Sequence, residues 1–231
     1  MIIFYSRTVL ADQATLEGDE MTHCTRVLRK QTGDLILITD GHGKLYEATI
    51  GMITKNALHC HIKKTVRETL HPCSYAICTT PTKNPARLEW FVEKATEIGI
   101  REIVLFFAAR SEKKNVNEQR LHNILISAMK QSGNLILPKL VICKNTADAL
   151  EYCKTYQHRF MAYCGEEAPF LSDLTKVGED TIVLIGPEGD FTSEEVETAR
   201  KHAFQVVSLG DARLRTETAG IVALMMMHLA R

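Results

Sequence analysis

The sequence predicts an α/β protein: a mainly parallel sheet with helices on both faces, preceded by a small β-rich unit. Three observations lead there. From Tyr75 onward, short apolar runs alternate with amphipathic stretches of helical period, the pattern of repeated strand–helix units. Residues 1–68 instead carry short apolar runs bounded by turn residues, spaced as in a small barrel. Between the two patterns lies His71-Pro72, a plausible linker boundary.

In chain order, Ile2 to Tyr5 reads as a strand and Glu20 to Lys30 as a helix. Strands follow over Asp34–Thr39, Leu45–Ile50 and Leu58–Ile62, with Asp40-Gly41 and Lys55-Asn56 among the turn residues that bound them. Arg26, Arg29 and Lys30 fall near the end of that helix, where the macrodipole alone favours cations. Beyond the linker come strand Tyr75–Thr79, helix Arg87–Ile98, strand Glu102–Phe107 and helix Gln119–Gln131. Strand Leu140–Cys143, helix Thr146–Lys154 and strand Phe160–Tyr163 follow. Charge pairing of Glu93 and Glu97 around Lys94 suits a solvated helix face.

The stretch from Thr181 to Ala219 organises the rest. Val183-Leu184-Ile185 is an apolar run closed by Gly186-Pro187, and Thr192 with Glu195 forms a capping box that starts a helix near Ser193. Val206 to Leu209 is a second buried strand, stopped by Gly210. Both turns thus lie at carboxyl ends of strands, where open α/β sheets hold ligands. Neither phosphate-binding glycine fingerprint is present, and Glu188 and Asp190 disfavour a phosphate. A neutral or cationic small molecule fits better. The last helix, Thr218 to Ala230, is apolar nearly all round, as in a buried element, and its adjacent Met225, Met226 and Met227 suit an adaptable interface.

Composition bounds the rest. With 45% apolar and 24% charged residues, the 231-residue chain has the balance of a soluble globule of one large or two small domains. No apolar run of about eighteen residues would span a membrane. The start MIIFYSRTVLADQ lacks the basic region and cleavage site of a secretory signal. Seven cysteines without a C-x-x-C point to reduced thiols in the cytoplasm. In His59-Cys60-His61 strand alternation turns Cys60 away from both histidines, so no metal is expected. Net charge is zero, but 11 Lys+Arg against 7 Asp+Glu in residues 71–150 contrast with 8 against 13 in 151–231. A basic middle leaves room for a local RNA surface, and the acidic end for a cationic ligand.

Gly186-Pro187-Glu188-Gly189 after an apolar strand, then Leu209-Gly210, Leu214-Arg215 and Glu217-Thr218-Ala219, closely resembles the SPOUT-class methyltransferases. Within that class the chain is most similar to the family that methylates N3 of a uridine in small-subunit ribosomal RNA. The likeness extends over nearly the whole chain. His23, Val27-Leu28-Arg29 and Gly33-Asp34 resemble that family's PUA-like RNA-binding domain. Lys83, Arg87, Glu89, Glu93-Lys94, Glu97 and Gly99 resemble its first catalytic-domain helix, and Gln131-Ser132 the end of a later one. The departures are Asn134, commonly Arg in relatives; Asp190, usually a second glycine; and Asp211-Ala212-Arg213, where Arg-Ile usually precedes Leu-Arg.

The resemblance implies a PUA-like barrel over about residues 1–70 and a SPOUT domain over about 73–231 with a deep trefoil knot, which general topology rules would disfavour. It implies S-adenosylmethionine as cofactor, held by three loops. Their residues are Tyr163, Cys164 and Gly165; Leu184, Ile185, Gly186, Pro187, Glu188 and Gly189; and Leu209, Gly210, Leu214, Thr218 and Ala219. Arg215 or Arg110 would stabilise a uracil anion, and Glu217 would either accept the N3 proton or only complement a helix start. RNA contacts would come from Arg7, Arg26, Arg29, Lys30, Lys83, Arg87, Lys113 and Lys114. The substrate would be 16S ribosomal RNA within the small subunit, and the last helix a homodimer interface. Three alternatives stand beside this: a SPOUT enzyme acting on ribose 2′-OH, an RNA-binding module without catalysis, and a dinucleotide oxidoreductase, which lacks its glycine fingerprint. Cys164 as a nucleophile has no apparent histidine partner.

Overall fold

The computed structural model describes residues 2–69, 74–109, 111, 115–176 and 178–230. The chain forms two compact units, one of residues 1–70 with 126–137, the other of 71–125 with 138–231. The expected boundary at His71-Pro72 lies outside the described residues.

The first unit is a six-stranded sheet of β1 (Ile3–Tyr5), β2 (Thr8–Leu10), β3 (Gln13–Glu17), β4 (Leu35–Thr39), β5 (Lys44–Ile53) and β6 (Ala57–Glu68). Its order is β1-β4-β5-β6-β3-β2, antiparallel except for β1 beside β4. Phe4, Ala14, Leu16, Ile36, Ile38, Ala48, Ile50, Leu58 and Cys60 meet in one core with Val9 against it, so the sheet curls round its own interior. Among the described residues no ladder joins the edge strands β1 and β2. The expected barrel is therefore a curled, open sheet.

Two local features depart from the sequence pattern. The β2–β3 hairpin was not foreseen, because its turn places Ala11 at φ 49 and carries no Asn-Gly or Asp-Gly signal. The helix expected over Glu20–Lys30 is shorter: α1 (Gly18–Thr22) runs into a π-helical turn, His23–Val27. Leu28 N donates to His23 O, Lys30 N donates to Cys24 O, and Arg29 sits at φ 54. Arg29 and Lys30 thus lie in the exit turn, not on the helix.

Residues 126–137 complete this unit. Leu135 packs with Ile3, Leu45 and Leu37. Gly43 N donates to Leu135 O and Leu137 N to Gly41 O, both at 2.8 Å. Lys130 pairs with Glu20, whose other oxygen accepts from Tyr5 N at 3.0 Å. A single cut between domains 1–70 and 73–231 does not divide the molecule this way.

The second unit is a wholly parallel sheet of β7 (Tyr75–Thr79), β8 (Glu102–Leu105), β9 (Lys139–Ile142), β10 (His158–Ala162), β11 (Thr181–Ile185) and β12 (Gln205–Val207). Its order is β12-β10-β11-β7-β8-β9. The helices are α2 (Pro85–Ile98), α3 (Glu118–Ser132, which from residue 126 on belongs to the first unit), α4 (Thr146–Cys153), α5 (Leu171–Leu174), α6 (Ser193–Lys201) and α7 (Thr216–Leu229). Strand alternation sorts the layers. Ala76, Cys78, Val104, Ile182 and Leu184 face Ala149, Leu150 and Cys153 of α4 and Val196 and Ala199 of α6. On the other face, the Tyr75 and His228 rings meet edge-on at 5.0 Å. There a Cβ at Gly220 would lie 2.6 Å from the Phe91 ring, so glycine lets α7 close on α2.

α2 starts two residues earlier than expected because Asn84 caps it, accepting from Ala86 N, and Pro85 supplies a pre-set φ. It stops at Gly99, φ 104. β8 and β9 lie to one side of β7, while β11, β10 and β12 lie to the other. That arrangement gathers the carboxyl ends of three strands.

Candidate active site

The loops leaving β10, β11 and β12 enclose a cavity of about 770 Å³. Tyr163, Cys164 and Gly165 form one wall, Ile185, Gly186, Pro187 and Glu188 a second, and Leu209, Gly210, Leu214 and Arg215 a third. Thr216 and Ala219 of α7 also line it. The walls are tightly built. A Cβ at Gly165 would overlap the Tyr163 ring, and one at Gly186 would come within 2.9 Å of Phe191. Thr216 Oγ1 donates to Gly186 O at 3.0 Å, tying α7 to the second loop.

Much of what the cavity offers a ligand is backbone. Among the described residues the N–H groups of Gly186, Glu188, Leu209 and Leu214 take no hydrogen-bond partner. Free amides between apolar walls are the lining of a small-molecule site. The charge at its edge is mixed: Glu188 and Asp190 beside Arg213 and Arg215, with Glu166 held two-fold by Arg200 at 2.6 Å. No phosphate cradle is present among these residues, and the acidic groups suit a ligand bearing positive charge.

Other sequence expectations fall elsewhere. Leu184 does not line the cavity; it points to the opposite sheet face and is fully buried beneath α4 and α6. Gly189 and Thr218 lie near the cavity but outside its lining. Glu217 is turned away. It follows Thr216 by one residue, about 100° round the helix, and its Oε1 lies 3.6 Å from Arg87 Nε on α2. Arg87, expected at an RNA phosphate, makes this ion pair while its side chain stays 37% exposed. Arg7, Arg26 and Arg29 are exposed on the first unit, whereas Lys30 donates to Leu35 O. Lys83 is exposed, and its backbone N–H donates to Glu188 Oε1 at 3.4 Å. Arg110, Lys113 and Lys114 lie outside the described residues.

Sequence reasoning missed Ser208, Asp211 and Thr216 as lining residues. Thr216 could have been found had the helix start been placed at Arg215. Asp190 gains an explanation: at φ 58 it occupies a left-handed position natural to glycine and tolerated by Asp. α7 is not buried all round. Ile221, Val222, Met225, Met226 and Leu229 form an uncovered apolar face.

Residues 69–228 match the RNA methyltransferase domain family, and residues 16–63 the RNA methyltransferase PUA domain family. The chain belongs to the RNA methyltransferase family. Among its relatives is the Ribosomal RNA small subunit methyltransferase E of Bacillus subtilis, 28% identical over 91% of this chain and 87% of the relative. A crystal structure from Porphyromonas gingivalis, described as a probable rRNA-methyltransferase, is 36% identical with TM-score 0.85, covering 99% of this chain and 97% of that one. The Ribosomal RNA small subunit methyltransferase E of Neisseria gonorrhoeae, bound to S-adenosyl methionine, is 25% identical with TM-score 0.84, covering 99% and 97%. For this RNA methyltransferase the cavity at the three loops is the candidate site of transfer. No helix among the described residues is long and apolar enough to cross a membrane.

Proposed function

We propose that this chain transfers the methyl group of S-adenosylmethionine to N3 of a uridine in 16S ribosomal RNA, acting in the cytoplasm on the small subunit. The observation that carries the reading is the backbone-lined cavity at the carboxyl ends of β10, β11 and β12 in a chain of the RNA methyltransferase family. The relatives named as small-subunit methyltransferases support the substrate, and the Neisseria gonorrhoeae structure supports the cofactor. The SPOUT topology, with its trefoil knot drawn through these loops, belongs to the same proposal. So does a second copy of the chain covering Met225, Met226 and Leu229 of α7.

When bound, S-adenosylmethionine supplies a methyl group on a sulfonium, which leaves as a neutral thioether. The free amides of Gly186, Glu188, Leu209 and Leu214 would hold the cofactor, with Ile185, Leu209 and Leu214 as apolar walls. Glu188 and Asp190 would favour its positive groups. With a pKa of roughly 9 the uracil N3 is still protonated near neutral pH, so its proton must pass to water for N3 to attack, and a cation near O2 or O4 would assist by stabilising the anion. We assign this role to Arg215, which is exposed at the cavity and makes no capping hydrogen bond at the start of α7. The base leaves its stack to reach it, because N3 lies on the pairing edge. Arg7, Arg26 and Arg29 bind RNA phosphates.

The test uses small subunits from cells lacking the protein, incubated with purified protein and labelled S-adenosylmethionine, followed by mass spectrometry of the digested RNA. N3-methyluridine at one site is expected. A ribose-methylated nucleoside, or bound cofactor without transfer, would refute the proposal.

A further inference from the structure

We infer that a second, smaller cavity beside the transfer site binds an unpaired nucleobase of the RNA, a neighbour of the methylated nucleotide and not the target itself; the inference rests on the methyl-transfer reading above. This cavity has a volume of about 300 Å³ and is lined by the starts of α2 and α3 and the loops before them. Its lining residues all belong to the second unit. That size is the lower end for ligand sites, room for one ring system and not for a long cofactor.

Its place follows from the sheet. β7 and β11 are adjacent parallel strands whose last paired residues are Thr79 and Ile185. The loops after them leave the sheet side by side. Pro81 and Thr82 line the small cavity, and Pro187 and Glu188, at the same steps beyond their strand, line the large one. Lys83 N donates to Glu188 Oε1 at 3.4 Å and joins the two loops. A strand that delivers one base to the large cavity can set a neighbouring base in the small one.

The lining selects a flat, uncharged, hydrogen-bonding ligand. Pro81, Pro85, Leu88, Val116 and Leu121 supply apolar surface. The only two charges in the lining oppose each other: Arg120 Nε and Nη2 both donate to Glu89 Oε2, at 3.3 and 3.0 Å. A phosphate or carboxylate there meets no unopposed cation. Asn115 takes no hydrogen-bond partner among the described residues, and its amide offers a donor and an acceptor side by side. Asn117 Oδ1 accepts from Arg120 N at 3.0 Å, which leaves its NH2 group to donate. Such amides read the edge of an unstacked base. The Arg120 guanidinium, held by Glu89 and 61% exposed along its side chain, adds a stacking plane.

The test puts a photo-crosslinking benzophenone amino acid in place of Pro85, an exposed lining residue. The full chain is irradiated with small subunits from cells lacking it, and crosslinked nucleotides are mapped by primer extension. The crosslink is expected within a few nucleotides of the methylated uridine. Val116→Trp, which fills the cavity, should raise KM for small subunits by about tenfold. Its kcat, S-adenosylmethionine affinity and salt slope of RNA binding should not change. Asn115→Ala should raise KM by about threefold. A melting curve is recorded for each, and if Val116→Trp fails to fold, the exposed Asn115 carries the kinetic comparison. No crosslink, or one far from the methylated uridine, overturns the inference. So does an Arg120→Ala protein whose salt slope falls by about one beside an unaffected Val116→Trp, since Arg120 would then hold a phosphate. Tight binding of free AMP without any RNA crosslink would make the cavity an effector site and overturn it as well. A wild type that transfers no methyl refutes the proposed reaction itself, a result distinct from all of these.

Discussion

Glu195 joins three elements that meet at the carboxyl edge of the sheet. Its Oε2 accepts from Thr192 N at 2.9 Å, completing the capping box of α6. Its Oε1 accepts from Ala109 N at 3.2 Å, beyond β8, and from Thr146 Oγ1 at 3.0 Å, at the start of α4. Replacing it with alanine strands three donors. At a half-buried site each bond contributes about 1 kcal/mol, and the better helix propensity of alanine returns only a few tenths, so Glu195→Ala should cost about 2.5 kcal/mol. Glu195→Gln keeps one acceptor oxygen but turns an amide NH2 toward a donor, and should cost about 1 kcal/mol. In urea the alanine variant's midpoint should fall by about 1 M, with the slope unchanged. Thr146→Val should cost less in the Glu195→Ala background than in the wild type, since the two share a bond. A Glu195→Ala protein within about 0.5 kcal/mol of wild type would refute the reasoning, because the carboxylate would then join nothing of consequence.

Gly220→Ala should destabilise by about 1–2 kcal/mol, because crowding against the fully buried Phe91 ring outweighs the gain in helix propensity; thermal unfolding reads it. Asp190→Gly should leave stability within about 1 kcal/mol, since the left-handed φ suits glycine, and Asp190→Val should cost more, both measured by urea titration. Arg215→Ala should lower methyl-transfer kcat by about 100-fold with little change in cofactor affinity; equal losses in both would show that it organises the cavity instead. Arg26→Ala with Arg29→Ala should weaken RNA binding and flatten its salt dependence by about two phosphate contacts, seen in filter binding across salt concentrations.

What the sequence made legible was local. The parallel sheet showed itself because each strand is a short apolar run with its own stop, and the Thr192–Glu195 box marked α6 to the residue. The glycine-rich loops were placed correctly at strand ends because Gly186 and Gly210 follow β11 and β12 closely. What failed depended on rotation or on distant partners. Starting α7 at Thr218 instead of Thr216 leaves open which way Glu217 points, and only the packed helix sends it to Arg87. Leu184 reads like Ile185 in sequence, yet alternation sends the two to opposite faces. The outer half of β6, His61 to Glu68, is mostly exposed and has no apolar run, so its extent was invisible. The π-helical turn at His23–Val27 has no composition signal of its own.

The membership of residues 126–137 in the first unit has a consequence during synthesis. The strands β1 to β6 are complete once residue 68 has emerged, yet Leu135, which caps Ile3 and Leu45, is still some seventy residues away. At about 5–20 residues per second the ribosome needs roughly 3–14 s to deliver it. For that interval a nascent sheet stands with an apolar patch bare, and a fragment ended near residue 70 would keep that patch bare for good. Such a fragment should be sticky on its own and should be quieted by adding back a peptide of residues 126–137.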